Sequence, residues 1–189
     1  SEYRRALETA ALLKLRGAIW QVDYQIRERD NGLIGNNSPQ EWFLKFPEYL
    51  QLMALHHFYG PWPGGESMAD VSVRLKAGIL DTLRRECDGQ RVVIVAHGET
   101  IQTLRVILEH THADEFHRNV DENSRSFRVG NAQIIHYTSV NPDDPKDARD
   151  ELTWVRSVNP YDESYAGHDW REIKHRSYSN RELLKLARK

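Results

Sequence analysis

The chain has 189 residues, enough for one domain with a proper core. Its 26 Lys and Arg against 28 Asp and Glu leave a net charge of −2, which excludes a general basic field for nucleic acid and a polybasic face for membranes. The single Cys87 excludes an internal disulfide and a multi-cysteine zinc site, and fits a reducing compartment. No apolar run approaches the ~18–20 residues of a membrane helix and no signal-peptide pattern opens the chain, so a soluble cytoplasmic protein is expected.

In chain order, Ala6, Thr9, Ala10 and Leu13 share one helical face, which predicts a helix over about 4–15 with Ser1 as its cap. Arg4 and Arg5 fall in its first turn, the unfavourable end for cations. Arg4 reads as a solvated charge; Arg5 reads as functional, because a bound anion would offset the dipole. Trp20, Val22 and Tyr24 alternate and predict a short strand leading to Ile26. Arg27-Glu28-Arg29-Asp30-Asn31-Gly32 ends in an Asn-Gly turn and reads either as a solvated charged loop, the usual fate of such a run, or as a carboxylate held between guanidinium groups at a site edge.

Residues 33–66 predict a helical cap or insertion beside the main sheet. Ser38-Pro39 opens a helix, and Trp42, Phe43, Phe46, Tyr49, Leu50 and Met53 recur at helical spacing as packing residues. His56 and His57 are adjacent, a poor metal pair, and read as loop or surface residues. Ser67 with Asp70 forms a capping box before a helix to about Arg85, striped by Val71, Leu75, Ile79 and Leu83.

Asp88-Gly89 then turns the chain into Val92-Val93-Ile94-Val95-Ala96-His97. Four consecutive β-branched residues predict a strand buried on both faces, as in a parallel sheet. Ile101, Leu104 and Leu108 restore a helical period up to about His110. His97 therefore sits where a strand ends and a helix begins, the place where α/β sheets bind ligands and where free N–H groups suit an anion. Gly98 lets the backbone come close. A short helix at 113–118, a bent strand or hairpin in 127–137, a polar loop at 141–150 and an antiparallel edge strand at 152–158 follow. The segment 159–178 is polar and aromatic without a period. Ser179 with Glu182 caps a terminal helix carrying Leu183, Leu184 and Leu186. The expected fold class is α/β: a three-layer sandwich of a mostly parallel sheet flanked by helices, one domain over 1–189 with 33–66 as its cap.

Three separated pieces agree in order and spacing: Ser1-Glu2-Tyr3-Arg4-Arg5-Ala6-Leu7-Glu8-Thr9-Ala10; Glu28-Arg29 before Gly32; and Gly65-Glu66-Ser67 with the helix leading to Val95-Ala96-His97-Gly98-Glu99. Together they resemble the histidine phosphatase superfamily, which includes cofactor-dependent phosphoglycerate mutases and many small phosphatases. The resemblance covers roughly Ser1 to Tyr137. It implies that Arg5 binds phosphate through its planar fork, that His97 is the second histidine of the pocket, that Glu28 is the general acid and then base, and that Arg29 holds the substrate's own anionic group. Glu99, two residues past His97, is a rival acid at the pocket mouth.

The family's nucleophile is a histidine in an Arg-His-Gly motif. No such triplet occurs in these 189 residues; His117-Arg118 and His175-Arg176 have the wrong order and place. The resemblance therefore implies that the chain starts after the family's first strand, nucleophile loop, first helix and second strand, leaving Val92–Val95 short of partners. The function expected is hydrolysis of a small-molecule phosphomonoester through a phosphohistidine. Phosphoglycerate mutase activity, or a non-catalytic phosphate-binding or regulatory domain, are the alternatives. No cofactor, metal, nucleic acid or membrane is called for.

Overall fold

The computed structural model describes residues 1–122, 124, 127–162 and 169–188. Helix α1 (Arg4–Leu12) stops short of the expected Leu15, where Lys14 adopts a φ of 49°. Its N-cap is Tyr3, without a side-chain cap, and Ser1 Oγ instead accepts from the Tyr3 N–H at 3.3 Å. The strand expected at 20–24 is absent. A 3₁₀ turn, Tyr24–Ile26, stands there, its N-terminal N–H capped by Asp23, while Trp20 and Val22 remain exposed. Ile26 alone of this segment is buried. A second 3₁₀ turn, Gly32–Asn36, leads to α2 (Pro39–Lys45), which Ser38 caps with Glu41 in a full capping box. Pro47 begins α3 (Pro47–Leu55), so the expected single helix breaks at Phe46. Phe43, expected to pack, is 70% exposed.

The capping box of Ser67 and Asp70 starts α4 (Met68–Leu75), as its sequence predicts. One π-helical turn, Lys76–Leu80, joins it to α5 (Asp81–Glu86). Helix α6 (Gly98–Leu108) packs against α4. The predicted stripe forms the core between them: Val71, Leu75, Ile79 and Leu104 with Ile26, flanked by Leu83, Ile94 and Ala96. Helix α7 (Ala113–Asp121) supplies Phe116 to a second cluster with Met68, Val106 and Phe127.

The mostly parallel sheet is not seen. The sheet present is small and antiparallel, in the order β1 (Ile134–Thr138), β2 (Trp154–Val158), β3 (Arg171–Glu172). Ile134 pairs with Val158 and Thr138 with Trp154. The expected edge strand is therefore central, because two residues of the 159–178 segment, too few to show a period, pair with its outer side. Part of that segment, 163–168, lies outside the described residues. Residues 91–96 form no ladder: their N–H groups find no backbone acceptor among the described residues, and the Ser1 amino group donates to the Val95 carbonyl at 3.4 Å. Ile94 and Ala96 pack, partly buried, against the α4–α6 core, while Val92 and Val93 before them are 45% and 51% exposed. The stretch is therefore open at its start and only partly covered toward His97, not buried on both faces. Helix α8 (Asn180–Leu186) carries the second predicted capping box. Among the described residues, no helix is long and apolar enough to cross a membrane.

Candidate functional site

The site gathers at the N-terminus of α6. His97 is its N-cap residue in extended conformation, 5% exposed, and makes no side-chain cap of its own. Its ring is instead engaged by residues of the N-terminal segment. Arg5 Nε donates to His97 Nδ1 at 3.1 Å across 92 residues of sequence. Because Nδ1 accepts, the neutral ring carries its proton on Nε2, which faces Ser1 Oγ at 2.8 Å. Tyr3 packs against the imidazole at 5.1 Å and under the Arg5 guanidinium. Burial, followed by the Arg5 charge, lowers the pKa of His97 below its usual value and favours the neutral ring. Among the described residues the Arg5 Nη atoms make no hydrogen bond, and Arg5 is exposed. An open depression of about 690 Å³, lined by Glu2, Tyr3, Arg4, Arg5 and Glu8, lies beside it.

Glu28 completes the helix start that His97 leaves uncapped. Its Oε1 accepts from the Thr100 N–H at 3.2 Å and from the Arg29 N–H at 3.0 Å. The Thr100 hydroxyl donates to the Arg27 carbonyl at 2.7 Å, tying the same loop to the same helix. A carboxylate there suits both the orphan N–H groups and the dipole. Gly98, the first residue of α6, has open space where a Cβ would stand.

Arg29 is nearly closed off from solvent, with a side chain 3% exposed. It donates to the Glu66 carbonyl at 2.7 Å, to Glu99 Oε1 at 3.1 Å and to the Gly60 carbonyl at 3.4 Å, and lies over the Trp62 ring at 5.6 Å. Glu99 stays 39% exposed. Burial raises the pKa of its carboxyl above the ordinary value, with Arg29 opposing and Glu28 adding to the rise.

The loop carrying Glu28 and Arg29 is held by residues that sequence reasoning left as structural. Glu66 accepts from Arg74 at 2.8 and 3.1 Å and from the Asp30 N–H at 2.9 Å. Arg74 also donates to the carbonyls of Gln25 and, at 3.1 Å, of Arg27. The available signal was the Gly65-Glu66-Ser67 motif itself, with an arginine eight residues on. The loop's close approach to 63–65 needs glycine: a Cβ on Gly65 would stand 2.4 Å from the Asp30 carbonyl oxygen. Among the described residues, no group of three or more His, Cys, Asp or Glu is placed to hold a metal.

The model of the histidine phosphatase superfamily (branch 1) matches residues 1–127. The chain belongs to that superfamily. All the site residues above fall within the matched segment. Two curated members, the 2,3-bisphosphoglycerate-dependent phosphoglycerate mutases of Rhizobium meliloti (strain 1021) and Rhizobium rhizogenes (strain K84 / ATCC BAA-868), are each 30% identical over 88 residues. That alignment spans 46% of this chain and only 42% of theirs. Among solved structures, a mycobacterial glucosyl-3-phosphoglycerate phosphatase in complex with inorganic phosphate is similar with a TM-score of 0.60 and 23% identity, over 84% of this chain and 73% of that one. A structure described as mycobacterial hydrolase 1 gives 0.59 and 22%, over 84% and 72%. These likenesses establish the histidine phosphatase fold.

Proposed function

We propose that this superfamily member hydrolyses a small-molecule phosphomonoester through a phosphohistidine, with the nucleophilic imidazole supplied from outside the 189 residues. The observation that carries the reading is the His97–Arg5 pair: a buried neutral ring, its Nε2–H directed by Arg5 on the opposite nitrogen, beside a guanidinium with unengaged Nη atoms. Two such donors suit the equatorial oxygens of a phosphoryl group in flight. Further support comes from the mycobacterial phosphatase of the same fold, which binds inorganic phosphate. The Ser1 amino group lies 3.4 Å from the Val95 carbonyl, so any residues preceding Ser1 would emerge beside the segment that ends in His97.

In this mechanism the nucleophilic imidazole forms a bond to phosphorus as the P–O bond to the leaving group breaks in line. Arg5 and His97 hold the equatorial oxygens. Glu28 protonates the departing alkoxide; its Oε1 is fixed by Thr100 and Arg29 while its other oxygen has no protein partner among the described residues. Glu28 then takes a proton from water, which attacks phosphorus, releasing inorganic phosphate and the free imidazole. The residues of 33–66 shape the substrate side. A mutase would return the phosphoryl group to a second substrate oxygen instead of water, and the curated relatives are mutases. A third reading is a phosphate-binding domain without turnover, in which Arg5, His97 and Arg29 hold an anion; an Arg-His-Gly triplet upstream of Ser1 would favour the enzyme over it.

One experiment tests all three, made on the full-length protein including any sequence upstream of Ser1. His97→Ala should lower aryl phosphate turnover by about 10²–10³-fold. Glu28→Gln should lose most with the poorest leaving group. Hydrolysis at the parent rate in His97→Ala overturns the assignment. Interconversion of 2- and 3-phosphoglycerate makes the protein a mutase, and phosphate binding without turnover makes it a binder.

A further inference from the structure

Arg29 is the cation placed to meet an anionic group on the substrate beyond its phosphate, yet its guanidinium is already engaged. The Glu66 and Gly60 carbonyls hold two of its nitrogens, Glu99 holds the third, and the Trp62 ring covers its face. A substrate carboxylate could reach it only by displacing Glu99. Glu99 is also the most exposed member of this group, two residues past His97 on the first turn of α6. Its neighbour in charge is Glu28, close enough to help raise the pKa of the Glu99 carboxyl. The leaving-group side of the site thus carries two carboxylates against one buried arginine.

We infer that Glu99 sets the substrate class: by occupying Arg29 it excludes phosphate esters whose alcohol carries a second anion, and it favours esters of neutral, hydroxyl-bearing alcohols. This rests on the phosphomonoester reading above and narrows it. The physical basis is discrimination by repulsion. A second anion would find Arg29 already paired and would sit against the Glu99 and Glu28 carboxylates, whereas a hydroxyl can donate to Glu99. The phosphate itself is served separately, by Arg5 and His97, so the selection acts on the alcohol half alone.

The test compares glycerol 3-phosphate with 3-phosphoglycerate, which differ only in a hydroxymethyl against a carboxylate. Both are assayed with the full-length parent and with Glu99→Gln. The glutamine keeps an oxygen for Arg29 Nη1, so the buried guanidinium retains its partner and the fold its staple. The parent should prefer glycerol 3-phosphate. In Glu99→Gln the ratio of kcat/KM values should move toward 3-phosphoglycerate by about tenfold or more, mainly through a lower KM for that ester. Glu99→Asp, which keeps the charge, should stay near the parent. A ratio unchanged within about twofold overturns the inference, as does a parent that already prefers 3-phosphoglycerate. Equal loss of kcat on both esters with loss of the acid's limb in the pH profile also overturns it, and makes Glu99 the general acid. If the parent hydrolyses neither ester nor an aryl phosphate, the phosphatase reading fails on its own. The same ratio is then read from calorimetric binding of the two esters, where an unchanged ratio of Kd values overturns the selection by Glu99.

Discussion

At the scale of single residues, the state of His97 follows from its partners. Burial and the Arg5 guanidinium both lower its pKa, so the neutral ring is the folded state's preferred form. The linkage has a definite sign. A depressed histidine gives a contribution that is complete above the unfolded value near 6.5 and is lost as pH falls through the folded value, because the unfolded chain then binds the extra proton. Removing the Arg5 charge removes one of the causes and leaves burial and the Ser1 amino charge. Arg5→Gln should therefore raise the titration midpoint of the His97 imidazole, followed by its ring-proton NMR shifts, while keeping it below that of an exposed histidine. A midpoint that does not move would mean that Arg5 is not the neighbour acting on this ring. Arg5 and His97 were both legible in the sequence, one from a cation at the wrong end of a helix, the other from its place at the end of an apolar run. What the sequence could not express was the part played by Glu28. It caps α6 from 72 residues away, and a cap that distant leaves no local pattern.

At the scale of elements, the α4–α5 segment and α6 were legible because each repeats apolar residues on one face, and Ser67 and Asp70 announce the start of α4. The loop that carries Glu28 and Arg29 has no such periodicity. Its shape is imposed by Arg74, which gathers the carbonyls of Gln25 and Arg27 while Glu66 holds the Asp30 N–H. Both side chains of this pair are only 17% exposed. Burial works against the Glu66 charge, but the bonds from Arg74 and the Asp30 amide outweigh it and hold its pKa below the ordinary value. Arg74→Gln leaves the Glu66 carboxylate without its ion-pair partner and releases the loop carbonyls. It should cost about 1–3 kcal/mol in urea unfolding of the full-length protein, a partly buried pair broken from one side. The same variant should lower kcat for the ester substrate more than it lowers phosphate affinity, because Arg5 and His97 lie on other elements. A stability loss with unchanged kcat would show that the staple supports the fold alone.

At the scale of the whole molecule, the largest difference between expectation and structure is the sheet. The β-branched run at 92–95 reads as a strand buried on both faces, yet its start is open, with Val92 and Val93 45% and 51% exposed, and Ile94 is only partly buried against the α4–α6 core. Trp20 and Val22, in a segment also expected to be extended, are 43% and 62% exposed. Composition records that a residue suits a strand; it does not record which neighbour completes the ladder. In the described structure no backbone N–H from Val92 to Ala96 has a partner, an unusual load of open polar groups for so apolar a stretch. Two consequences can be measured by hydrogen exchange. In the 189-residue chain, the amides of Val92 to Ala96 should exchange far faster than those of Leu104 and Val106 in α6, which are hydrogen-bonded and buried. In a longer chain whose upstream segment runs beside Val95, the amides on the paired side should slow by orders of magnitude, toward the protection of α6. Slow exchange at these positions in the 189-residue chain would show that the stretch finds a partner without any added strand, by self-association along its open edge. Dilution separates that case, since protection from self-pairing falls with concentration and protection from an intramolecular strand does not. The outcome bears directly on His97, whose backbone is the end of this same stretch: the rigidity of the ladder before it determines how firmly the ring is held opposite Arg5.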